Sequence, residues 1–209
     1  MKQAIIYLIL ALALSGCVSV GNTPASRFYM LHAADKSQVS EKFEIPPEIN
    51  IAIGPVKIPE YQNRPQIVTV DKNRMLNFAQ FDRWGETLDV GLARVILEDL
   101  TTMLPGASIR MFPCNYNIPV KYQVLLDVVQ MENKLDQDLV FVAQWSIIQL
   151  DPKEMVFSKR SEFHQPINPH DYTGLVEAMS SVCLSLSQEI AGSLVASIGQ
   201  PKAKEATTK

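Results

Sequence analysis

Apolar positions along this chain recur with two periods, and the switch between them marks out its elements. The first apolar segment has no period: Ala4 to Leu14 is an unbroken run of 11 residues behind a single lysine, Lys2. A membrane-crossing helix needs about 20 such residues, whereas the hydrophobic stretch of an export signal needs roughly 7–15. The run therefore predicts a signal peptide over residues 1–16, followed by a polar tether at 17–27. Phe28 to Leu31 reads as a first strand, and the polar stretch 33–47, closed by Pro46-Pro47, as a loop. Alternation from Ile49 to Ile53 predicts a strand that Gly54-Pro55 should end. Pro55, Pro59 and Pro65 then suit a loop or an edge strand, because proline cannot donate to a ladder. Ile67 to Val70 and Met75 to Phe78 flank Asp71-Lys72-Asn73-Arg74 as a hairpin.

The period changes at Trp84. Trp84, Leu88, Leu92, Val95, Ile96, Leu100 and Met103 recur every three or four residues, which predicts a helix with one buried stripe, Asp82 as its N-cap and Pro105-Gly106 as its stop. Ser108 to Phe112 reads as a strand and Pro113 to Pro119 as a loop. Tyr122 to Val129 and Phe141 to Ile148 alternate as a hairpin, apolar enough on both faces to be central, and Met155 to Phe163 follows as a third strand. Leu175, Met179, Val182, Cys183, Leu186, Ile190 and Leu194 share a face of a last helix, which starts near Asn168-Pro169 or Asp171 and stops at Gly199. The fold class is α+β: a single domain over 28–199, a mixed, mostly antiparallel sheet with two long amphipathic helices packed on one face, and a disordered tail at 200–209.

Composition narrows the function classes. Without the signal, 193 residues remain, with 18 basic against 22 acidic side chains. That balance is no footprint for nucleic acid, which needs clustered cations, and it predicts no polybasic lipid-binding face. The nine glycines are scattered, so no phosphate-cradling loop stands out. His32, His164 and His170 lack ligand spacing, and a metal site is not expected. Cys183 sits in an apolar helical stripe, where a thiol is inert. Cys114 falls in a loop. A bridge between the two is open in an oxidising compartment, but a core cysteine and a loop cysteine is the favoured reading. Glu60 with Glu86 and Asp127 with Asp151 read as solvated carboxylates, and Trp84 and Trp145 as core. The chain reads as a non-enzyme without cofactors. The exposed candidates for a partner contact are Tyr61, Gln62, Asn63 and Arg64, in a loop that proline stiffens, and Tyr61 and Arg64 are favoured.

Leu14-Ser15-Gly16-Cys17 resembles the bacterial lipobox. The resemblance implies cleavage between Gly16 and Cys17, a diacylglyceryl group on Cys17 and acylation of the new amine. Val18, rather than Asp, follows, which by the enterobacterial sorting rule places the protein in the outer membrane, facing the periplasm.

The stretch Ile51 to Val68, IAIGPVKIPEYQNRPQIV, resembles the signature of the ABC-type transport auxiliary lipoproteins, the PqiC (YmbA) family. Tyr29-Met30-Leu31, Arg83 to Leu88, Val128-Val129, Gln144-Trp145 and Leu175 to Ile190 match further pieces of it in order. Gln62 stands where the family usually has Leu, and Gly85 where it usually has Ala. The resemblance implies a non-catalytic outer-membrane subunit of an MCE-type, Pqi-like intermembrane transport system, docking a periplasm-spanning lipid channel. Its partners would be a PqiB-like MCE-domain protein and the associated inner-membrane permease, with a homo-oligomer left open. The rival reading is an accessory lipoprotein of another envelope assembly or secretion machine.

Overall fold

The computed structural model describes residues 24–39, 42–47, 49–114 and 119–199. Cys17, Gly16, the start of the tether and the tail 200–209 lie outside the described residues. The elements are Arg27–Tyr29 (β1), Ile49–Lys57 (β2), a 3-10 turn at Glu60–Gln62, Gln66–Val70 (β3), Leu76–Trp84 (β4), Leu88–Met103 (α1), Ala107–Met111 (β5), Tyr122–Asn133 (β6), Asp138–Leu150 (β7), Lys153–Pro166 (β8) and Tyr172–Gly199 (α2). They form an α+β domain with two sheets rather than one. The larger has the order β5-β2-β6-β7-β8, and the smaller β1-β4-β3. β2 runs parallel to both β5 and β6, while β6, β7 and β8 form the long antiparallel meander.

Both helices cover one face of the larger sheet, α1 over β2 and β5, α2 over β7 and β8, and they pack against each other. The alternation in β6 and β7 explains why. Val124 pairs with Ile147, Leu126 with Trp145 and Val128 with Ala143, so all six side chains point to one side. Each is at most 3% exposed, and they meet Leu92, Ile96, Leu100, Met179, Leu186 and Ile190 from the helices. Two polar groups caught in this layer are satisfied. The Trp145 indole N–H donates to Ser161 Oγ at 3.0 Å, and the Ser161 hydroxyl donates to Glu189, which pairs with Lys159 at 3.0 Å. This chain of contacts ties β7, β8 and α2 together.

Two expected boundaries fall elsewhere. β2 does not end at Gly54-Pro55 but continues to Lys57. The register against β6 shifts between Ile53 and Val56, so the dipeptide is absorbed as a bulge. Gly54 takes φ +105°, which only glycine adopts at no cost, and Gln123 Nε2 donates to its carbonyl at 2.8 Å. Likewise β4 runs on to Trp84, and α1 starts only at Leu88 behind Thr87. Asp82 is therefore no N-cap. Trp84 is core as expected, 5% exposed, but it reaches the core from a strand. Gly85 lies ahead of the helix, and its N–H donates to the Tyr29 carbonyl at 2.8 Å. A Cβ there would meet Met30 Cγ at 3.0 Å, so glycine suits the close passage of β1.

α2 opens on Asp171, whose carboxylate accepts from the Gly174 N–H at 2.9 Å. A Cβ on Gly174 would lie 1.8 Å from the Pro169 carbonyl oxygen, whereas one on Gly192, in the same helix, would meet nothing within 4 Å. Gly174→Ala should destabilise the protein by about 1–3 kcal/mol through overpacking. Gly192→Ala should stabilise it by up to about 1 kcal/mol through helix propensity. Denaturant midpoints of the two variants check the pair, and equal midpoints would contradict this placement of α2.

Candidate functional site

The proline loop between β2 and β3 folds into a tight turn. Gln62 N–H donates to Pro59 O at 2.9 Å and Asn63 N–H to Glu60 O at 3.1 Å. This turn sits on the end of β6. Tyr61 is half-buried, its hydroxyl donates to Met131 O at 3.0 Å, and burial pushes that hydroxyl's pKa upward. Gln62, expected at the surface, is wholly buried. Its Nε2 donates to the same Met131 carbonyl at 3.2 Å, while its Oε1 finds no partner. Asn63 and Arg64 are exposed, and the Arg64 guanidinium lies 4.4 Å from the centre of the Phe78 ring, a cation–π contact. Of the two favoured contact residues, Tyr61 is half-buried with its hydroxyl engaged, and Arg64 alone is exposed.

Three grips hold the N-terminal segment to the body. Asp82, on β4, accepts two bonds from Arg27, at 2.7 Å and 3.0 Å, and one from the Tyr29 hydroxyl at 2.9 Å. Arg94, on α1, donates to Leu31 O at 2.7 Å while paired with Glu86 at 2.7 Å. Asp99, one turn further on, accepts from the Ala34 N–H at 2.9 Å and from Ser187 Oγ at 3.3 Å. It is 1% exposed, and burial pushes its carboxyl above the ordinary range against the pull of both donors. Sequence reasoning missed these grips. For Asp99 a signal existed: it occupies a stripe position between Val95, Ile96 and Met103, where a charge needs a partner. Asp82 carried none, since it read as a cap.

The remaining chemistry-bearing residues are occupied structurally or lie apart. Cys183 is buried on α2 and its thiol is pushed up by burial, while Cys114 sits off β5 with its thiol 3.4 Å from Met111 O; both are free. His32 contacts Glu177 at 3.1 Å, His164 contacts Glu162 at 3.0 Å, and His170 contacts Leu135 O at 2.9 Å. Glu86 serves Arg94. Among the described residues no group of three or more His, Cys, Asp or Glu could hold a metal.

Residues 29–191 match the family described as ABC-type transport auxiliary lipoprotein component. The chain belongs to that family. Membership makes it a transport auxiliary lipoprotein of the cell envelope, in a family that is not one of enzymes. A comparison with curated proteins gives no match. Among solved structures, an uncharacterized protein is similar at TM-score 0.65 and 14% identity, over 82% of this chain and 99% of that one. A DUF330 protein of Xanthomonas campestris is similar at TM-score 0.65 and 10% identity, over 82% and 96%. At these identities the likeness is one of fold.

Gln62→Leu should be neutral or mildly stabilising, since it removes a buried acceptor without a partner while Tyr61 still serves Met131 O. A thermal melt of the variant checks this, and a large loss would mean that the amide has a partner of its own. Asp99 gives a pH signature. The folded chain holds its proton to higher pH than the unfolded chain. Its contribution is therefore full below the ordinary value of 3.8 and is lost as pH rises through the elevated folded one. Asp99→Asn should flatten that part of the stability–pH curve, measured as denaturant midpoints from pH 3.8 upward.

Proposed function

We propose that this protein is an outer-membrane lipoprotein subunit of an MCE-type intermembrane transport system, tethered through acyl chains on Cys17 and docking a periplasm-spanning channel at the outer membrane. The observation that carries the reading is the order of two features: a lipobox ending at Cys17, then a transport auxiliary lipoprotein domain matched from residue 29. Each buried CH₂ contributes about 0.8 kcal/mol, so one chain holds marginally and two or more hold stably. Triacylation makes residues 17–27 a permanent leash and 28–199 the working domain. The work itself is binding: a lipid fixes the location, and the folded surface meets an MCE-domain protein with its inner-membrane permease. Tyr61 and Arg64 remain the candidate contacts, with Arg64 supplying the accessible charge.

Two measurements test this reading. Exported behind an ordinary cleavable signal, the Cys17→Ala chain should appear in the soluble periplasmic fraction, while the natural chain co-fractionates with the outer membrane and takes up labelled palmitate. Recovery of the detergent-solubilised natural protein should bring down an MCE-domain protein. If it never does, the transport-system assignment fails even where the anchor stands.

A further inference from the structure

The small sheet carries a surface that its fold does not use. Phe28, Met30, Met75, Leu76 and Phe78 are 68%, 56%, 58%, 40% and 48% exposed, and all lie on β1, on β4 or directly at their ends. Pairing fixes their direction. Val68 pairs with Phe78 and Val70 with Leu76, so Phe78 and Leu76 share one face, with Val68 and Val70 buried beside them; Phe28 pairs with Arg83 beyond an irregularity in the β3–β4 ladder. Arg27, Tyr29, Asp82 and Trp84 lie on the side opposite Phe28 and Arg83, where Asp82 and Trp84 are buried. Exposed apolar side chains gathered on one small sheet point to an interaction site.

Basic residues outnumber acidic ones around the patch. The three strands, their hairpin and the adjoining loop carry Arg27, Arg64, Lys72, Arg74 and Arg83 against Glu60, Asp71 and Asp82, with Arg27 on the opposite face and Lys72 paired with Asp136. Asp82 is buried beneath Arg27, and Asp71 accepts the N–H groups of Asn73 and Met75 in the hairpin. Arg64 and Arg83 have no ion pair among the described residues, and Arg64 lies over Phe78 itself. Aromatic and aliphatic side chains interleaved with arginines suit the boundary between acyl chains and anionic headgroups. They do not suit a second copy of the same face, because a two-fold contact would set arginine against arginine.

Connectivity gives the same direction. β1 begins at Arg27, ten residues after Cys17, and ten residues span at most about 36 Å when fully extended. The element nearest the lipid along the chain is the one that exposes the apolar face. We propose that this face of the β1-β4-β3 sheet rests on the anionic membrane surface, so that the domain is oriented by a protein–lipid contact as well as tethered by its acyl chains. The proposal rests on the reading of Cys17 as the lipid anchor.

The test uses the acylated mature protein in vesicles of phosphatidylethanolamine and phosphatidylglycerol. An environment-sensitive fluorophore is placed at Leu76→Cys or, as a control on β8, at Met155→Cys, both in a Cys114→Ser background. The label at 76 should shift to the blue and be quenched by spin-labelled lipid, while the label at 155 does neither. Adding Phe28→Glu and Phe78→Arg should each weaken the shift at 76 with flotation unchanged, the charge on the glutamate having the larger effect. Circular dichroism checks that each variant is folded. Equal water exposure at 76 and 155 overturns the proposal. So does a shift that needs an added protein, or one already present in a dilute oligomer without lipid. If the protein does not float with the vesicles, the anchor reading is what fails. The label at 76, read on the soluble chain mixed with the same vesicles, then decides the face by itself.

Discussion

Everything in this domain is arranged around one apolar sheet face that has to be covered. Val124, Leu126, Val128, Phe141, Ala143, Trp145 and Ile147 are almost wholly removed from water on that side. Each large side chain so buried contributes about 1.5–3 kcal/mol. That sum has to overcome a backbone ordering cost of about 1–2 kcal/mol per residue. Two helices with one apolar stripe each are the least chain that can close the face, and packing them side by side buries the stripe edges as well. The arrangement leaves little room for charge. Where a polar group is trapped, a partner is supplied: Ser161 of the neighbouring strand β8 for Trp145, and Ser187 of the facing helix for Asp99. An unpaired one would cost a good part of a marginal stability.

With the helices committed to that face, the N-terminal segment is held at the edges of the core. It is gripped first by β4 through Asp82, then by α1 through Arg94 and Asp99, and on the α2 side by the edge contact of Tyr29 with Tyr172, 6.3 Å between ring centres. Charge-assisted bonds at 2.7–3.0 Å are about twice as strong as neutral ones. A chain that leads to a membrane attachment would pull at β1, and this is where the domain concentrates such bonds. The glycine at 85, which allows Met30 to pass, belongs to the same seam.

Much of this was legible in the sequence, and the failures have physical causes. Both helices and the β6-β7-β8 meander are long, so the period of their apolar residues outvotes local exceptions. The family resemblance was legible on other grounds, since its strings fall on short elements too: at β1, along β2 to β3 and across the end of β4 as well as on β6, β7 and α2. Shorter elements were misread wherever one residue served two grammars. Gly54-Pro55 is turn chemistry, yet a bulge can absorb it when a side chain such as Gln123 serves the freed carbonyl. Asp82 is a capping residue by type, yet a strand holds it when an arginine from another strand arrives. Gln62 was judged by polarity, but its place under the proline loop is apolar. Each error concerns a contact between residues more than fifty positions apart, which periodicity does not register.

Net charge has a related limit. A surplus of acidic residues over the whole chain excludes a strongly cationic protein, but it says nothing about where the cations stand. The fold gathers arginines on the small sheet by pairing β1 with β4 across more than fifty residues. The small sheet is in turn fixed to the hairpin end of β6 and β7, where Tyr61 and Gln62 bond Met131 O, Asn133 Nδ2 donates to Val68 O at 2.7 Å and Lys72 pairs with Asp136 at 2.9 Å. The turn between β7 and β8 lies at the other end of a 13-residue strand. At about 3.3 Å per residue that is on the order of 40 Å away. The length of the meander therefore separates the β7-β8 turn from the end where the small sheet, Tyr61 and Arg64 lie.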